Sequence, residues 1–152
     1  MNTRLLIPML CIGAVAFACG PRPHAASEAP VTTPVNSSQS GSPLASSLTV
    51  SVDGGVELAF HVTNTTQKSM ELQFVSGQTH DFTVLDAGGR EVWRWSGDRM
   101  FTQALQTRML GAGETLTFRE RWQSAPKGSY TVVAALTSSN HPVETRTEIA
   151  VP

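Results

Sequence analysis

Apolar and polar positions alternate in short runs over most of the chain beyond Ser47. Val56, Leu58, Phe60 and Val62 alternate with Glu57, Ala59, His61 and Thr63, the two-residue period of a half-buried strand. The same reading predicts strands at Leu48–Val52, Met70–Phe74, His80–Asp86, Arg90–Ser96, Thr115–Trp122, Tyr130–Leu136 and Val143–Val151. Asp53-Gly54-Gly55, Ala87-Gly88-Gly89, Gly111-Ala112-Gly113 and Pro126-Lys127-Gly128 punctuate them as turns. Tyr130–Leu136 is almost continuously apolar and reads as a central strand. Arg99–Leu110 has weak helical spacing and no cap, so it reads as a loop with one helical turn followed by a return strand. The fold class that follows is all-β: an antiparallel, immunoglobulin-like sandwich of about seven to eight strands without a disulfide, with a closed barrel as the alternative.

The segment from Phe74 to Leu105 should hold the middle of the core. It contains Phe74, Phe82, Phe101, Trp93 and Trp95, and aromatic side chains bury the most apolar surface per residue. Trp93 and Trp95 share one face of the predicted Arg90–Ser96 strand. Either they pack in the core, or one lies at an edge flanked by Arg94 and Arg99 and grips a partner, since Trp and Arg dominate interface hot spots. Trp122, at a strand end, is open to the same two readings.

The segment and its flanks resemble the BsuPI family, described as inhibitors of an intracellular subtilisin-like serine proteinase. The matching pieces are Val62-Thr63-Asn64-Thr65-Thr66, Phe74 with Ser76-Gly77-Gln78, Asp81-Phe82, and Val92-Trp93-Arg94-Trp95-Ser96. Phe101-Thr102-Gln103-Ala104, Gly113-Glu114, Trp122 and Gly128-Ser129-Tyr130 complete it. The resemblance runs from about Leu48 to Leu136 and implies a protein partner. An inhibitor of that kind presents a rigid, extended segment to a proteinase cleft. Gly97–Arg108 is the place for such a contact, with Arg99, Met100, Phe101 and Leu105 as its candidate residues and Met109 a further apolar side chain. The competing reading has Phe101 and Leu105 closing the end of the sandwich.

Three regions follow. Residues 1–18 read as a signal peptide: Arg4 is the positive start, Leu5–Ala18 is apolar and uncharged, and Ala16-Phe17-Ala18 offers a cleavage site. Cys19 stands directly after that site, which resembles a bacterial lipobox and makes Cys19 the expected lipid attachment. The alternative is a soluble secreted protein. Residues 19–46, rich in Pro and Ser, read as a flexible linker that buries too little to order itself. Residues 47–152 form the β-sandwich domain. The expected location is a bacterial envelope, with the N-terminal lipid as the sole membrane contact.

Charge and chemistry narrow the function further. The net charge is −1 and only 15% of residues are charged, which gives no basic surface for nucleic acid. Cys11 and Cys19 are the two cysteines, so the domain has neither a disulfide nor a thiolate nucleophile. His24, His61, His80 and His141 are scattered without metal-ligand spacing. His80 and Asp81 are adjacent on a strand and point to opposite faces, which argues against an acid–base pair. No nucleotide-binding or nucleophile-elbow motif occurs, and no cofactor is expected. The expectation is a non-enzymatic, envelope-tethered protein-binding module that inhibits a subtilisin-like serine proteinase. A non-inhibitory structural or adhesion module is the alternative.

Overall fold

The computed structural model of the chain describes residues 33–37 and 42–152. The expected signal peptide, Cys19 and most of the expected linker lie outside these residues. Every alternating run becomes a strand, and all pairings are antiparallel. In chain order the strands are β1 (Thr33–Ser37), β2 (Leu44–Val52), β3 (Val56–Asn64), β4 (Met70–Phe74) and β5 (His80–Asp86). They continue as β6 (Glu91–Arg94), β7 (Gln106–Leu110), β8 (Thr115–Trp122), β9 (Gly128–Leu136) and β10 (Val143–Val151). No residue described is helical, so the turn of helix expected in Arg99–Leu110 is absent. Gly97–Leu105 is irregular, and the return strand is β7.

Two four-stranded sheets, ordered β1-β2-β3-β8 and β10-β9-β5-β6, face each other as an immunoglobulin-like sandwich, and β4 and β7 form a separate two-stranded ribbon. The inward residues of the two sheets meet directly. Phe60 of β3 lies edge-on to Phe82 of β5 at 6.3 Å and stacks on Phe118 of β8 at 6.0 Å. Leu48, Leu58, Val62, Val84, Val132 and Leu136 fill the space around them. Each such side chain contributes about 1.5–3 kcal/mol when removed from water, which carries the domain without a staple. β9 lies between β10 and β5, the central position its apolar sequence indicates.

The chain joins the fold earlier than Ser47. Leu44 and Ser46 are buried and extend the inward row of Leu48 and Val50, so β2 begins inside the expected linker. Thr33–Ser37 pairs with β2 as an outer strand. Pro34 is compatible with that position, because an edge strand can spare one ladder N–H. The expected β5–β6 hairpin is present, with Asp86 accepting from the main-chain N–H groups of Gly88, Gly89 and Arg90, and with Gly89 in the left-handed region at φ 78°. Its second strand is shorter than expected, and the register shifts at Val84/Leu85.

Asn64, fully buried at the end of β3, ties two loops together, the one that follows β3 and the one between β7 and β8. Its Nδ2 donates to the carbonyl oxygens of Lys68, Leu110 and Gly111, at 2.8, 3.1 and 2.9 Å. Its Oδ1 accepts from the N–H and hydroxyl of Thr66. The Gly113 N–H donates to its carbonyl, and its own N–H donates to the Glu114 carbonyl. The Asn-Thr and Gly-Glu pieces of the sequence pattern therefore meet in space. Asn64→Ala leaves buried carbonyls without donors and should cost about 2–4 kcal/mol. A urea midpoint lowered by that amount, against a much smaller change for Thr66→Ala, checks it.

Candidate partner-binding face

The chain from β4 to β7 is held by two clusters, each built from residues of the sequence pattern. The first surrounds the carboxylate of Asp81, which is buried. Asp81 Oδ1 accepts from the main-chain N–H of Phe82 at 2.9 Å and of Ser96 at 3.2 Å. Asp81 Oδ2 accepts from the Ser96 hydroxyl at 2.7 Å and from Arg94 Nη1 at 2.8 Å. Arg94 also pairs with Glu91, and these two carboxylates, Glu91 foremost, hold its guanidinium firmly in the charged form. The Arg94 hydrogen bond likewise lowers the Glu91 carboxyl below its ordinary value. The arrangement fixes the stretch Glu91–Ser96 against the start of β5.

The second cluster is a stack of rings. The His80 imidazole lies between Trp95 at 4.2 Å and Phe118 at 4.3 Å, nearly parallel to both. Phe101 leans on Trp95 at 5.6 Å, and the Arg99 guanidinium sits 4.5 Å over the Trp95 ring. Such cation–π contacts are worth about 0.5–2 kcal/mol according to exposure. Glu120 of β8 lies 3.6 Å from Arg99 and 3.7 Å from His80 Nε2. His80 Nδ1 is 3.3 Å from the Thr79 hydroxyl, whereas its buried Nε2 has no hydrogen-bond partner. Burial pushes the imidazole down to about 4; Asp81 opposes this and Arg99 adds to it.

Both clusters act on the loop Gly97–Leu105. A third contact holds its far side, where the Gly77 N–H donates to the Thr102 carbonyl at 2.9 Å. A Cβ at Gly77 would stand 2.7 Å from the Thr102 hydroxyl, so a side chain at that position would push the loop away. Between these fixed points Met100 is 100% exposed, and Leu105 is 83% exposed just beyond them. Phe101 is half-buried against Trp95 and does close that end of the sandwich, whereas Leu105 does not.

The three tryptophans occupy intermediate ground between the core and a free surface. Trp93 and Trp95 are half-buried and Trp122 is buried. Trp93 of edge strand β6 stacks on Trp122 of edge strand β8 at 6.2 Å, and Trp122 meets Tyr130 edge-on at 5.1 Å. The tryptophans thus close the side of the sandwich where the two sheets end. An open cleft of about 560 Å³ lies there, lined by Trp93, Trp95, Arg99, Arg121 and Trp122 among others.

His80 and Asp81 serve separate clusters: the Thr79 hydroxyl meets His80, and the Ser96 hydroxyl donates to Asp81. His61 is hydrogen-bonded to Thr117 across β3 and β8, His141 lies in the β9–β10 loop, and His24 is outside the described residues. Among the described residues no group of His, Cys, Asp and Glu has the geometry of a metal site, and no helix is long and apolar enough to cross a membrane. The sequence reading missed Asn64, the Gly77–Thr102 contact and Glu120. The first two carried a signal: an Asn ending an alternating strand, and a Gly in a turn paired with a Thr in a later loop.

An antiparallel sandwich carrying one firmly held and exposed loop has the form of a binding module. The chain matches the BsuPI family over residues 44–141, and it belongs to that family, described as intracellular proteinase inhibitor. A search of the curated proteins finds no match. The family is one of inhibitors and not of catalysts, so the partner in general terms is a protein.

The His80 stack makes stability depend on pH. With its folded value near 4 and its unfolded value near 6.5, the unfolded chain binds the extra proton between those limits. Stability due to this residue is therefore intact above pH 6.5 and is lost as pH falls toward 4. Urea unfolding from pH 7 to pH 4 should show a loss in the native protein that is reduced in His80→Phe.

Proposed function

We propose that the chain is an exported, lipid-anchored inhibitor of a subtilisin-like serine proteinase, which it engages through Met100 and Leu105. The observation that carries this reading is the full exposure of Met100 on a loop fixed at both sides by Trp95 and Gly77. An exposed apolar side chain on a loop free to move would lose entropy on docking, and a loop already ordered loses little. Apolar residues also suit the primary pocket of subtilisin-like enzymes. In this reading Phe101 is a positioning residue held by Trp95, and Arg99 fixes the base of the loop through Glu120.

The family description speaks of an intracellular inhibitor. Met1–Ala18 reads as an export signal and Cys19 as a lipid attachment, so the target of this member would lie in the envelope or outside the cell. Acyl chains contribute about 0.8 kcal/mol per buried CH₂, and more than one chain is needed for stable anchoring. The alternative is a structural or adhesion module without inhibitory action. The cleft between β6 and β8 favours it, because it offers Trp93, Trp122 and Arg121 beside the base of the loop and does not include Met100 or Leu105.

Addition of the purified chain to a panel of subtilisin-like proteinases tests the main reading. Inhibition should fall at least roughly tenfold in Met100→Asp and in Leu105→Asp, with thermal midpoints unchanged, as expected for apolar anchors of an interface. Inhibition by neither the native chain nor any variant would leave the adhesion reading, in which Trp93→Ala is the substitution that weakens capture of a partner. Mass spectrometry of the mature N-terminus should find a diacylated Cys19. An unmodified Cys19 would mean secretion without an anchor.

A further inference from the structure

We infer that the outer edge of β7 is a strand-addition site that pairs with an extended segment of the partner protein, one carrying apolar side chains four residues apart. This rests on the reading of the chain as an inhibitor and extends its contact from the loop into the ribbon that follows.

The direction of the backbone groups can be worked out from β4. The Gln73 N–H donates to Asn140 Oδ1, the Gln73 carbonyl accepts from the Ser139 N–H at 2.7 Å, and the Glu71 carbonyl accepts from Asn140 Nδ2 at 2.8 Å. Glu71 and Gln73 therefore point their main-chain groups away from β7. They stand opposite Met109 and Thr107 in the register. In an antiparallel pair both members of such a position point outward. Hence Thr107 and Met109 offer their N–H and carbonyl groups to the far side of β7. Gln106 and Arg108 are left to bond with β4.

The two edges of the ribbon are treated differently. The loop Ser138–Asn140 covers the β4 edge. Among the described residues no group outside β4 hydrogen-bonds to the main chain of Gln106–Met109, and all four residues are exposed. Leu105–Leu110 contains neither Pro nor Lys and no bulge, three devices that keep an edge from pairing, and its one charged side chain, Arg108, is on the face opposite Thr107 and Met109.

Side chains complete the site. Thr107 and Met109 share the outer face of the ribbon with Glu71 and Gln73, and Leu105 and Val75 follow directly at its end. Val75 is 65%, Leu105 83% and Met109 57% exposed. An incoming strand would find apolar neighbours at Leu105 and Met109, about 13 Å apart, and polar Thr107 between them. Leu105 also belongs to the proposed contact loop, so loop and strand would form one continuous surface. Main-chain pairing would supply affinity and the apolar spacing would supply selectivity.

Thr107→Pro removes one outward N–H and leaves the β4 ladder intact, and Thr107→Val keeps that N–H. Two probes are used with the full chain: a subtilisin-like proteinase inhibited by the native protein, and a short threonine-rich peptide with leucines four residues apart. Thr107→Pro should weaken both complexes roughly tenfold, the value of one main-chain hydrogen bond with its disturbed neighbours, while Thr107→Val binds like the native chain. The amide resonances of Thr107 and Met109 should shift and gain protection from exchange with either probe. Unchanged binding by Thr107→Pro, or unperturbed amides in both complexes, would overturn the inference. Protection that rises with protein concentration and no probe would also overturn it, by showing a second copy on the edge. Peptide binding without inhibition of any proteinase would sink the inhibitor reading and leave the edge site standing. Inhibition that is indifferent to Thr107→Pro would do the reverse.

Discussion

The Asp81 carboxylate is the constraint on which the rest of the partner-binding face depends. A carboxylate taken out of water costs several kcal/mol unless donors replace its hydration. Four donors do so here, and three come from Arg94 and Ser96. Satisfying them forces the chain after β6 to run back along the start of β5. That course sets Trp95 over His80, and Trp95 in turn receives Phe101 and Arg99. The loop is thus shaped from below by a buried charge and its aromatic neighbours, with few hydrogen bonds of its own.

This origin explains why the residues of the family pattern fall where they do. Asp81, Arg94 and Ser96 form the carboxylate cluster, Gly77 and Thr102 close the opposite side, and Asn64 meets Gly113 and Glu114. Asp81 and Asn64 are buried and Ser96 and Gly77 half-buried, whereas Arg94, Thr102, Gly113 and Glu114 reach the surface. Met100 and Leu105, the most exposed apolar side chains of the loop, stand immediately beside pattern residues. The pattern residues build a platform, and Met100 and Leu105 stand out from it.

The sheets were legible because one face of each strand is buried, and burial on one face writes a period of two into the sequence. Phe60 and Val62 show it in β3, and Leu116 and Trp122 in β8. The start of β2 was not legible. Leu44 is a single apolar residue among Ser, Pro and Gly, and only its partner Asn64 reveals that it belongs to the row. β7 was indistinct for a different reason: Gln106–Met109 are all exposed, so no burial pattern marks them. Of the candidate site, Met100 and Leu105 were readable as apolar residues in a polar setting. The inward turn of Phe101 depends on Trp95 and could be seen only in three dimensions.

The strand registers also orient the molecule. Thr33, where the described chain begins, stands opposite Val50, in the half of the sandwich that contains Trp122. His80 stacks on Phe118 of β8 and lies 3.7 Å from Glu120, whose row across the sheet runs through Leu58 and Val50 to Thr33. Three strand spacings of about 4.8 Å separate β1 from β8, so Thr33 and Glu120 stand about 14 Å apart across that sheet. The base of the loop at Arg99 therefore sits on the β8 edge of the sheet whose other edge is β1, level with the point where the described chain enters the sandwich.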